Sequence, residues 1–587
     1  MKLAENMKAL SAICVSDTDF DNRNSQTFFA AKELRYYFNR MSCASFEIKR
    51  AGECENAVTL SLAEGDDALR LGVDGFHIVA KDDSIRIVGG KRGVIYGAYE
   101  LLERMGCRFF TCDCEKIPTK TDLDIDPFET EQIPVLEYRN HNYRDVVQNP
   151  KFAVKCRLNG AQPQIPDYMG GRISYVWHVH TFNRMVPAEK YGAEHPEYFA
   201  LVDGKRILDG RRTQLCLTNP DVYDICLKSV REALLANPVA KIISISQNDT
   251  KNHCQCENCR KADLEEGSPA GTLLNFVNRI AKELESEFPD VIFDTLAYEY
   301  SRPAPKTVRN RHNVCVRLCS IECCFAHPFE TCDDEKRGIL HPDGSRSSFI
   351  SDLRNWGKIC DRMYIWDYTT CFAHYPTPHP NWRVLQPNIK AMIKNNVKGI
   401  FEQANGASRG GVDFNELRLY LISKLLWDPD CDVLAHRKEF MEYYYGDAAE
   451  PLMEYLDLIC DTVEKENIHV GFNDNPTHEF LSEDMLEKYN ALFDKAADAV
   501  SGDPLRLFRV EKNRLSIRWV ALKRKTMLYG EFDPEEINRF FADWRAFGLS
   551  RIEEWFNIEN THRALLDKNW RATAYFDHWS GEEPEYL

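Results

Sequence analysis

The chain has 587 residues, of which 44% are hydrophobic and 11% aromatic, and its formal net charge is −17. This length predicts about three or four domains, and the composition is typical of globular proteins. The negative charge argues against nucleic acid or an anionic membrane surface as the partner. No apolar run reaches the roughly 18 to 20 residues that span a bilayer. The 21 cysteines are odd in number and scattered, which favours a reducing cytoplasm over a disulfide framework.

Residues 1–128 have the pattern of a small α+β domain. Helical spacing over 28–38 is followed by two predicted strands, 76–79 and 85–88, joined by a short polar turn. An amphipathic helix from Val94 to Met105 follows, and Gly106 is placed to end it. We interpret this domain as a scaffold that covers one side of a larger partner domain.

Residues 129–430 alternate short apolar runs with helical segments, which is typical of βα units around a parallel sheet. Strands are predicted at 135–140, 173–178, 214–217, 242–246, 292–297, 314–318, 363–366 and 399–401. Eight strands over this length predict an α/β fold of the (β/α)8, or TIM-barrel, type. Residues 431–587 predict an all-α domain, with helices at 433–446, 448–466, 480–500, 504–529 and 534–557.

Polar and aromatic side chains follow the predicted strands at their carboxyl ends, where the loops of a parallel barrel open. Glycoside hydrolysis requires two carboxyl groups at the anomeric centre, or one carboxyl group and a participating substrate acetamide. Aromatic rings suit the apolar faces of sugars, and amides and imidazoles suit their hydroxyls. A single acid at a strand end is more often a loop cap or an ion-pair member, so the clustering of such groups carries the prediction.

Several segments resemble domain-of-unknown-function family 4838, which includes the endo-β-N-acetylglucosaminidases of glycoside hydrolase family 163. They are HTFNRMVPAEKYGAEHPEYFALVDGKR (180–206), QLCLTNP (214–220), SISQND with CQCENC (244–259), IECCFAHP (321–328), YIWDY (364–368) and LWDP (426–429). The segment RGVIYGAYELLERMGCRFF (92–110) resembles the domain that precedes the barrel in family 20 hexosaminidases and family 67 α-glucuronidases. The resemblance implies a TIM-barrel glycosidase.

We expect Asp249 and Glu322 to be the principal catalytic carboxyl groups, with Glu299 as a third. One would protonate the leaving oxygen, and another would stabilise an oxazolinium or activate water. Family 20 enzymes place an Asp-Glu pair at the end of the fourth strand, where this chain has Asn248 and Asp249, so their mechanism does not carry over directly. The predicted substrate-binding residues are His178, His180, Asn248, Tyr298, Trp366, Asp367, Tyr368, Trp382 and Glu402.

These residues predict hydrolysis of a β-N-acetylhexosaminide (GlcNAc or GalNAc) in an oligosaccharide, with retention of configuration through the substrate acetamide. A uronic acid glycosidase is the alternative within the class. The arginines available for it are Arg139, Arg144, Arg184 and Arg317. A metal-dependent amidohydrolase is a rival, because His178 and His180 have the spacing of two metal-binding imidazoles. A non-catalytic glycan-binding protein is a further alternative. The oligomeric state stays open, and a homo-oligomer is compatible with the sequence.

Three cysteines have the C-x-C-x2-C spacing of half a tetrahedral structural zinc site. They are Cys254, Cys256 and Cys259. Cys323 is the predicted fourth ligand, with Cys324 and His253 as alternatives. Such a closed site would join the loop that carries Asp249 to the loop that carries Glu322 and would take no part in catalysis. The alternative is a set of reduced thiols in a tight loop. No cofactor is expected for catalysis itself.

Overall fold

The computed structural model describes residues 1–567 except Glu55, Asp82, Arg211, Pro342 and Asp343. The end of the predicted carboxyl-terminal domain, residues 568–587, lies outside the described residues. Across the described residues, no helix has the combination of length and apolar character that a membrane crossing requires.

A six-stranded mixed sheet organises the amino-terminal region. In spatial order its strands are Phe128–Gln132, Phe76–Lys81, Ser84–Gly89, Ala57–Leu62, Ala12–Val15 and Ile48–Arg50. Phe76, Ile78 and Ala80 are buried while the residues between them are not, so one face of this strand packs on the core. The helices of the region are Asp17–Asp21, Gln26–Ser42, Gly65–Leu71 and Gly93–Arg104. The hairpin and the helix expected after it are both present.

The helix Gly93–Arg104 is buried on nearly every side, because it lies between this sheet and the middle of the chain. A Cβ atom on Gly97 would lie 2.7 Å from Ile87 Cγ2, so the helix approaches the sheet at a distance that only glycine allows. On the opposite side Arg157 Nη2 donates to Glu100 at 2.7 Å and to Glu103 at 2.8 Å. The two regions are therefore held together by both close packing and buried ion pairs.

A curled sheet of six parallel strands forms the middle of the chain. In spatial order the strands are Tyr138–His141, Val397–Gln403, Met363–Tyr368, Val314–Cys319, Ile292–Ala297 and Ile242–Ser244. The helices of this region are Arg144–Gln148, Pro150–Lys155, Phe182–Met185, Ala188–Tyr191, Pro220–Leu235, Glu257–Glu266, Ala270–Leu284, Phe349–Ile359, Leu385–Lys394 and Asn415–Trp427. Five of the predicted strands and the end of the first lie in this sheet.

The two edges of the parallel sheet are connected through two irregular segments. Val176 N donates to Ile242 O at 2.9 Å, Ile173 N donates to Asn159 O at 2.8 Å, and Asn159 N donates to Arg139 O at 3.1 Å. The segment 173–177 and the backbone near 159 therefore lie between the two edge strands. The segment 173–177 coincides with a predicted strand, whereas the sequence predicts no strand near 159.

The predicted strand at 214–217 is wrong. Leu215 forms an isolated antiparallel bridge with Phe199, and Cys216 N donates to Tyr198 O at 2.8 Å. These residues belong to a loop excursion that precedes the helix Pro220–Leu235. Their apolar side chains are buried against this loop and not in the parallel sheet, which explains why the run has the pattern of a strand.

The curled sheet encloses a space that we call the lumen. Side chains of the parallel strands fill its lower part, which we call the floor, on the side away from the carboxyl ends of the strands. Arg317 and Asp294 are buried there and form an ion pair of 2.9 Å. Tyr138 stacks on Tyr364 with ring centroids 5.2 Å apart, and the Tyr175 ring lies 4.9 Å from the Arg317 guanidinium. The groups at the carboxyl ends of the strands lie above this packed floor.

The carboxyl-terminal region is helical. Its helices are Val433–Tyr445, Ala449–Lys465, Glu483–Ala499, Pro504–Tyr529, Pro534–Ala546 and Ile558–Leu566. The helix predicted over 534–557 is too long: it ends at Ala546, and Gly548 follows with a left-handed φ of +74°. Residues 547–557 are irregular, and they cross towards the middle of the chain, where Tyr375 N donates to Ile552 O at 2.7 Å.

We expect Asp294→Ala to destabilise the protein strongly, because it leaves the Arg317 guanidinium buried without its counter-ion. Loss of one partner of a buried ion pair costs roughly 3–5 kcal/mol. The urea and thermal unfolding midpoints should fall accordingly. Glu232→Gln, which breaks the exposed Lys228–Glu232 pair, is the control and should leave the midpoints unchanged. Equal midpoints for the two variants would contradict the assigned role of the lumen pair.

Candidate active site

Asp249 and Tyr298 meet at the carboxyl ends of two neighbouring strands. Asp249 follows the strand Ile242–Ser244 and is exposed, and it accepts a hydrogen bond of 2.9 Å from the Tyr298 hydroxyl. Burial, with the charges of Glu299 and Asp249, raises the pKa of Tyr298 well above its usual value. The hydroxyl therefore stays protonated and acts as a fixed donor.

Glu299 is a buried carboxyl group with a strained backbone. Glu299 is 4% exposed, and its φ of +49° is unusual for a residue other than glycine. Burial raises the pKa of Glu299 to about 8; Lys251 opposes the shift, while Glu322 and Asp249 add to it. At neutral pH this carboxyl group is therefore largely protonated. Backbone strain of this kind is concentrated at functional sites in proteins.

Glu322 follows the strand Val314–Cys319 and is held by a guanidinium group. Arg302 Nη1 donates to Glu322 Oε2 at 3.0 Å, and Arg302 Nε donates to Asp352 at 2.8 Å. The Arg302 side chain is fully buried, whereas that of Glu322 is 24% exposed. The arginine therefore orients Glu322 by a charge-assisted hydrogen bond while the carboxyl group still reaches solvent.

Tyr368 lies at the same edge of the parallel sheet as these acids. Burial raises the pKa of its hydroxyl well above the usual value, and the charges of Cys319, Glu322, Asp249 and Glu554 raise it further. Tyr368 ends the strand Met363–Tyr368, which pairs with the strand Val314–Cys319 that precedes Glu322, so both residues lie at the same edge of the sheet. The three predicted catalytic residues follow three neighbouring strands of the parallel sheet, Ile242–Ser244, Ile292–Ala297 and Val314–Cys319.

Glu554 is a fourth acid at this edge of the sheet, and the sequence does not reveal it. Gln403 Nε2 donates to Glu554 Oε1 at 3.1 Å, while Gln403 Oε1 accepts from Trp366 Nε1 at 2.7 Å. Burial, followed by the charge of Asp249, raises the pKa of Glu554 to about 7. Its backbone N–H donates to Phe372 O at 3.2 Å, which fixes the irregular segment over the strand ends. The prediction of a single helix over 534–557 does not place Glu554 near the other acids.

His178 and His180 lie on the lumen side of the irregular segment that follows residue 173. Arg317 Nη1 donates to His178 Nε2 at 3.3 Å, and the His178 ring lies 5.6 Å from the Trp366 ring. The His180 ring lies 6.2 Å from the Tyr298 ring. Burial, with the charge of Arg317, lowers the pKa of His178 to about 3, so its imidazole is neutral. Both residues border the centre formed by the acids.

Asp367 and Glu402 are not brought to this centre. They are partners in register on adjacent strands, and both are buried. Trp366 and Tyr368 turn towards the lumen, so the alternation of side chains along the strand turns Asp367 towards the surrounding helices. Burial raises the pKa of Asp367 to about 6, and burial with the Asp367 charge raises that of Glu402 well above its usual value. The geometry corrects the expectation that these two acids hold sugar hydroxyls.

Asn248 and Trp382 are also engaged away from the acids. Asn248 Oδ1 accepts from Asn183 N at 3.1 Å, and its Nδ2 donates to Thr213 O at 2.9 Å. These bonds use Asn248 to join two loops, so its amide is not available to a substrate acetamide. The Arg418 guanidinium covers the Trp382 ring at 4.2 Å, and the ring packs against the helical region. The geometry therefore corrects both expected substrate contacts.

The three cysteines of the predicted zinc site meet a fourth thiol, that of Cys216. Four sulfur atoms lie within 4.8 Å of one another, those of Cys216, Cys254, Cys256 and Cys259. Cys216 Sγ lies 3.7 Å from Cys256 Sγ and 3.9 Å from Cys259 Sγ. Tetrahedral zinc with Zn–S bonds of about 2.3 Å places its sulfur ligands about 3.8 Å apart. The four thiols therefore fit a structural zinc ion.

Cys323 is not the fourth thiol of this cluster, because it is buried in the loop that carries Glu322, close to Arg302. The cluster instead joins the excursion before the helix Pro220–Leu235 to the segment that follows Asp249. Gln214 Nε2 strengthens the same connection by donating to Asn248 O at 2.8 Å. Cys216 lies in the QLCLTNP segment. Because this segment has the pattern of a strand, the sequence does not identify Cys216 as a ligand.

Comparison with known families assigns the chain to one of them. Residues 109–457 match the model of a family described as a domain of unknown function, DUF4838. The chain belongs to this family. The match covers more than half of the sequence and includes the parallel sheet, the four thiols and all the acids of the site except Glu554. No curated protein matches the sequence significantly.

Several solved structures are distantly similar to this DUF4838 protein. A chitobiase of family GH20 from Flavobacterium johnsoniae is 12% identical, with 92% of this chain and 93% of that chain covered and a TM-score of 0.46. A family GH138 enzyme that targets pectin rhamnogalacturonan II is 10% identical, with coverage of 95% and 74% and a TM-score of 0.44. A GH20 exo-β-N-acetylglucosaminidase from Vibrio harveyi is 10% identical, with coverage of 78% and 75% and a TM-score of 0.42.

We expect Glu299→Gln to change how stability depends on pH. Burial raises the folded-state pKa of Glu299 to about 8 from an ordinary value of 4.5. Its contribution to stability is complete below about pH 4.5 and is lost as the pH rises through 8. The amide does not titrate, so the unfolding midpoint of the variant should rise relative to wild type between pH 5 and pH 9. Glu232→Gln should show no such trend, and a flat difference for Glu299→Gln would exclude the raised pKa.

Proposed function

We propose that this protein is a glycoside hydrolase that cleaves β-N-acetylhexosaminides at the carboxyl-terminal face of a (β/α)8-type barrel. The observation that carries the proposal is that Asp249, Glu299 and Glu322 follow three neighbouring parallel strands, with Tyr298 bound to Asp249 and Arg302 bound to Glu322. Glycosidases require such a group of carboxyl functions in different protonation states. Family membership alone supplies no activity, so the proposal depends on the site.

The arrangement of backbone segments supports the barrel. Six parallel strands and the two irregular segments near 159 and 173–177 occupy eight successive positions, and backbone hydrogen bonds connect each position to the next. A complete circle of eight would place all the strand ends around one mouth. Asp249, Glu299, Glu322 and Tyr368 belong to four consecutive positions, which suits their meeting above the lumen.

Glu299 is the proposed general acid. A proton donor must be protonated at the working pH and must lie among groups that respond to the developing charge. Burial keeps the Glu299 carboxyl protonated up to about pH 8. As it gives its proton to the leaving oxygen, its own negative charge develops near Lys251, which favours that form. Glu322, held by Arg302, is the proposed carboxylate on the other side of the sugar.

Asp249 and Tyr298 suit an N-acetyl group. A secondary acetamide offers one N–H donor and one carbonyl acceptor, and here a carboxylate lies next to a hydroxyl that keeps its proton. On substrate binding, Asp249 would accept from the amide N–H, and the Tyr298 hydroxyl would turn its single proton from Asp249 to the carbonyl oxygen. This orients the carbonyl oxygen for attack on the anomeric carbon as the glycosidic bond breaks and the leaving oxygen takes the Glu299 proton. Water, deprotonated by the Glu299 carboxylate, would then open the oxazolinium from the face that the leaving group vacated, so two inversions give retention of configuration. The Trp366 ring and the neutral His178 would contact the sugar ring and its hydroxyls.

The alternatives have less support from the geometry. Of the four arginines considered for a uronide, Arg139 lies 3.3 Å from Asp74 and Arg317 pairs with Asp294, so the charges of these two are already compensated. Arg144 donates to Gly406 O at 3.4 Å, and the Arg184 guanidinium lies 5.8 Å from the Trp177 ring. The amidohydrolase alternative requires a metal next to His178. A guanidinium that donates to this imidazole occupies its Nε2 lone pair and repels a metal cation. A non-catalytic glycan-binding protein would bind the sugar without hydrolysing it, so a measurement of turnover distinguishes this alternative from a hydrolase.

We further propose that the protein works in a reducing compartment, such as the cytoplasm, on short oligosaccharides or glycosides. All 21 cysteines lie within the described residues, and each is outside a disulfide. Many are buried, where they pack as small apolar side chains. Thiols at this density persist where glutathione and thioredoxin keep them reduced.

We expect Glu299→Gln, Glu322→Gln and Asp249→Asn each to lower kcat/KM on aryl β-N-acetylhexosaminides by at least about 100-fold. The first variant lacks the proposed general acid, and the other two lack the carboxylates that face the sugar and its acetamide. Glu402→Gln is the matched control. It replaces a buried glutamate whose pKa is also raised but which faces away from the lumen, so it should retain activity. Aryl uronides tested in parallel distinguish the alternative substrate. Full activity of Glu299→Gln would exclude Glu299 as the acid.

We also propose that the four thiols around Cys216 hold a structural zinc ion that fixes the loop after Asp249. Protein purified without chelator should contain this zinc, and Cys216→Ser should contain one equivalent less. Cys323→Ser should match wild type, because that thiol lies outside the cluster. Metal analysis by inductively coupled plasma mass spectrometry gives the result. The assignment of Cys216 is wrong if the Cys323 variant loses the zinc.

A further inference from the structure

A second group of sulfur and nitrogen ligands lies between the loop that carries Glu322 and the helical region. It consists of Cys324, His327, Cys332 and His469, and one ligand atom from each lies within 4.8 Å of those of the other three. Three of the four come from a short stretch with C-x2-H-x4-C spacing, and the fourth comes from the segment after the helix Ala449–Lys465. The sequence does not suggest this set, because His469 lies 137 residues after Cys332.

The distances within the group suit a tetrahedral metal ion. Cys324 Sγ lies 3.4 Å from His327 Nδ1, and Cys332 Sγ lies 3.7 Å from His469 Nδ1. Bonds of about 2.3 Å to sulfur and 2.0 Å to nitrogen place tetrahedral ligands about 3.3–3.8 Å apart. Two thiolates and two imidazoles form a neutral complex with a divalent ion, which suits a partly buried location.

The surroundings of His469 show the arrangement of a ligating histidine. Its Nδ1 faces the Cys332 sulfur, while its Nε2 lies 3.1 Å from Asp333 Oδ1. In metal sites the second ring nitrogen commonly donates to a carboxylate, which fixes the tautomer and turns the other nitrogen to the metal. The backbone holds the two segments in the same register, since Phe325 N donates to Val470 O at 2.8 Å.

We propose that Cys324, His327, Cys332 and His469 form a structural zinc site that joins the Glu322 loop to the helical region. Sulfur and imidazole ligands in a tetrahedral S2N2 set favour zinc among the common biological cations. With all four positions supplied by the protein, the site is closed and has no catalytic position. The inference is independent of the hydrolase activity, because it rests on ligand geometry alone.

Metal content tests the site directly in the full-length protein. Cys332→Ser and His469→Asn should each contain one zinc equivalent less than wild type by mass spectrometry, while the zinc at the Cys216 cluster remains. His312→Asn, which changes an exposed histidine, is the matched control and should retain the wild-type content. Wild-type zinc content in both Cys332→Ser and His469→Asn would overturn the proposal.

A measurement on the wild-type chain avoids any dependence on how the variants fold. Cys332 is partly exposed, so N-ethylmaleimide should label it readily unless a metal protects it. Mapped by peptide mass spectrometry, its labelling rate should rise at least about tenfold after zinc is removed by a chelator, and added Zn²⁺ should reverse the change. Equal rates before and after chelation, or a Cys324–Cys332 disulfide under reducing conditions, would overturn the site.

Discussion

Side chains of a β-strand alternate between its two faces, and in the curled parallel sheet this alternation decides which groups reach the lumen. Trp366 and Tyr368 face inwards, so Asp367 between them faces the helices, where it meets Glu402. Tyr298 faces inwards and donates to Asp249. The floor set by Arg317 and its neighbours closes the space below. Chemistry is thereby confined to the strand ends and to the loops that continue from them.

Loops at the strand ends need constraints of their own, because the strands do not hold them. Arg302 fixes Glu322 by a buried guanidinium, and hydrogen bonds of Gln214 hold the loop near Asp249. The two ligand clusters lie next to these two loops. Three cysteines of the Cys216 cluster follow Asp249 in the chain, and the cluster with Cys324 begins two residues after Glu322. With zinc bound, each proposed site would restrain one loop that carries an acid.

Much of the parallel sheet could be predicted from the sequence, because buried parallel strands such as Ile292–Ala297 are short apolar runs with clear ends. The segment near 159 has no such run, since it contributes only isolated backbone hydrogen bonds. The run at 214–217 has the right composition but is buried by a loop. Periodicity measures burial, and burial by a sheet or by a loop leaves the same pattern.

The site was predictable in part for the same reason. Asp249, Glu299 and Glu322 follow recognisable strands, so their meeting could be expected. A shift of one residue along the strand would turn Asp367 from the helices to the lumen, and the amino-acid composition does not reveal this register. The position of Glu554 at the site depends on the end of the preceding helix near Gly548 and on its contact with Gln403, which is far from it in sequence. Such a contact belongs to tertiary structure and has no local signal.

The position of Glu554 has a consequence for biosynthesis. A ribosome releases the amino-terminal region and the parallel strands first, and domains generally begin to fold as they emerge. The segment that carries Glu554 leaves the exit tunnel 151 residues after Gln403, yet its backbone binds beside Phe372 and its carboxyl group meets Gln403. A nascent chain can therefore hold a folded sheet while the ring of acids is still open. The finished arrangement of charges arises only after residue 554 has left the ribosome.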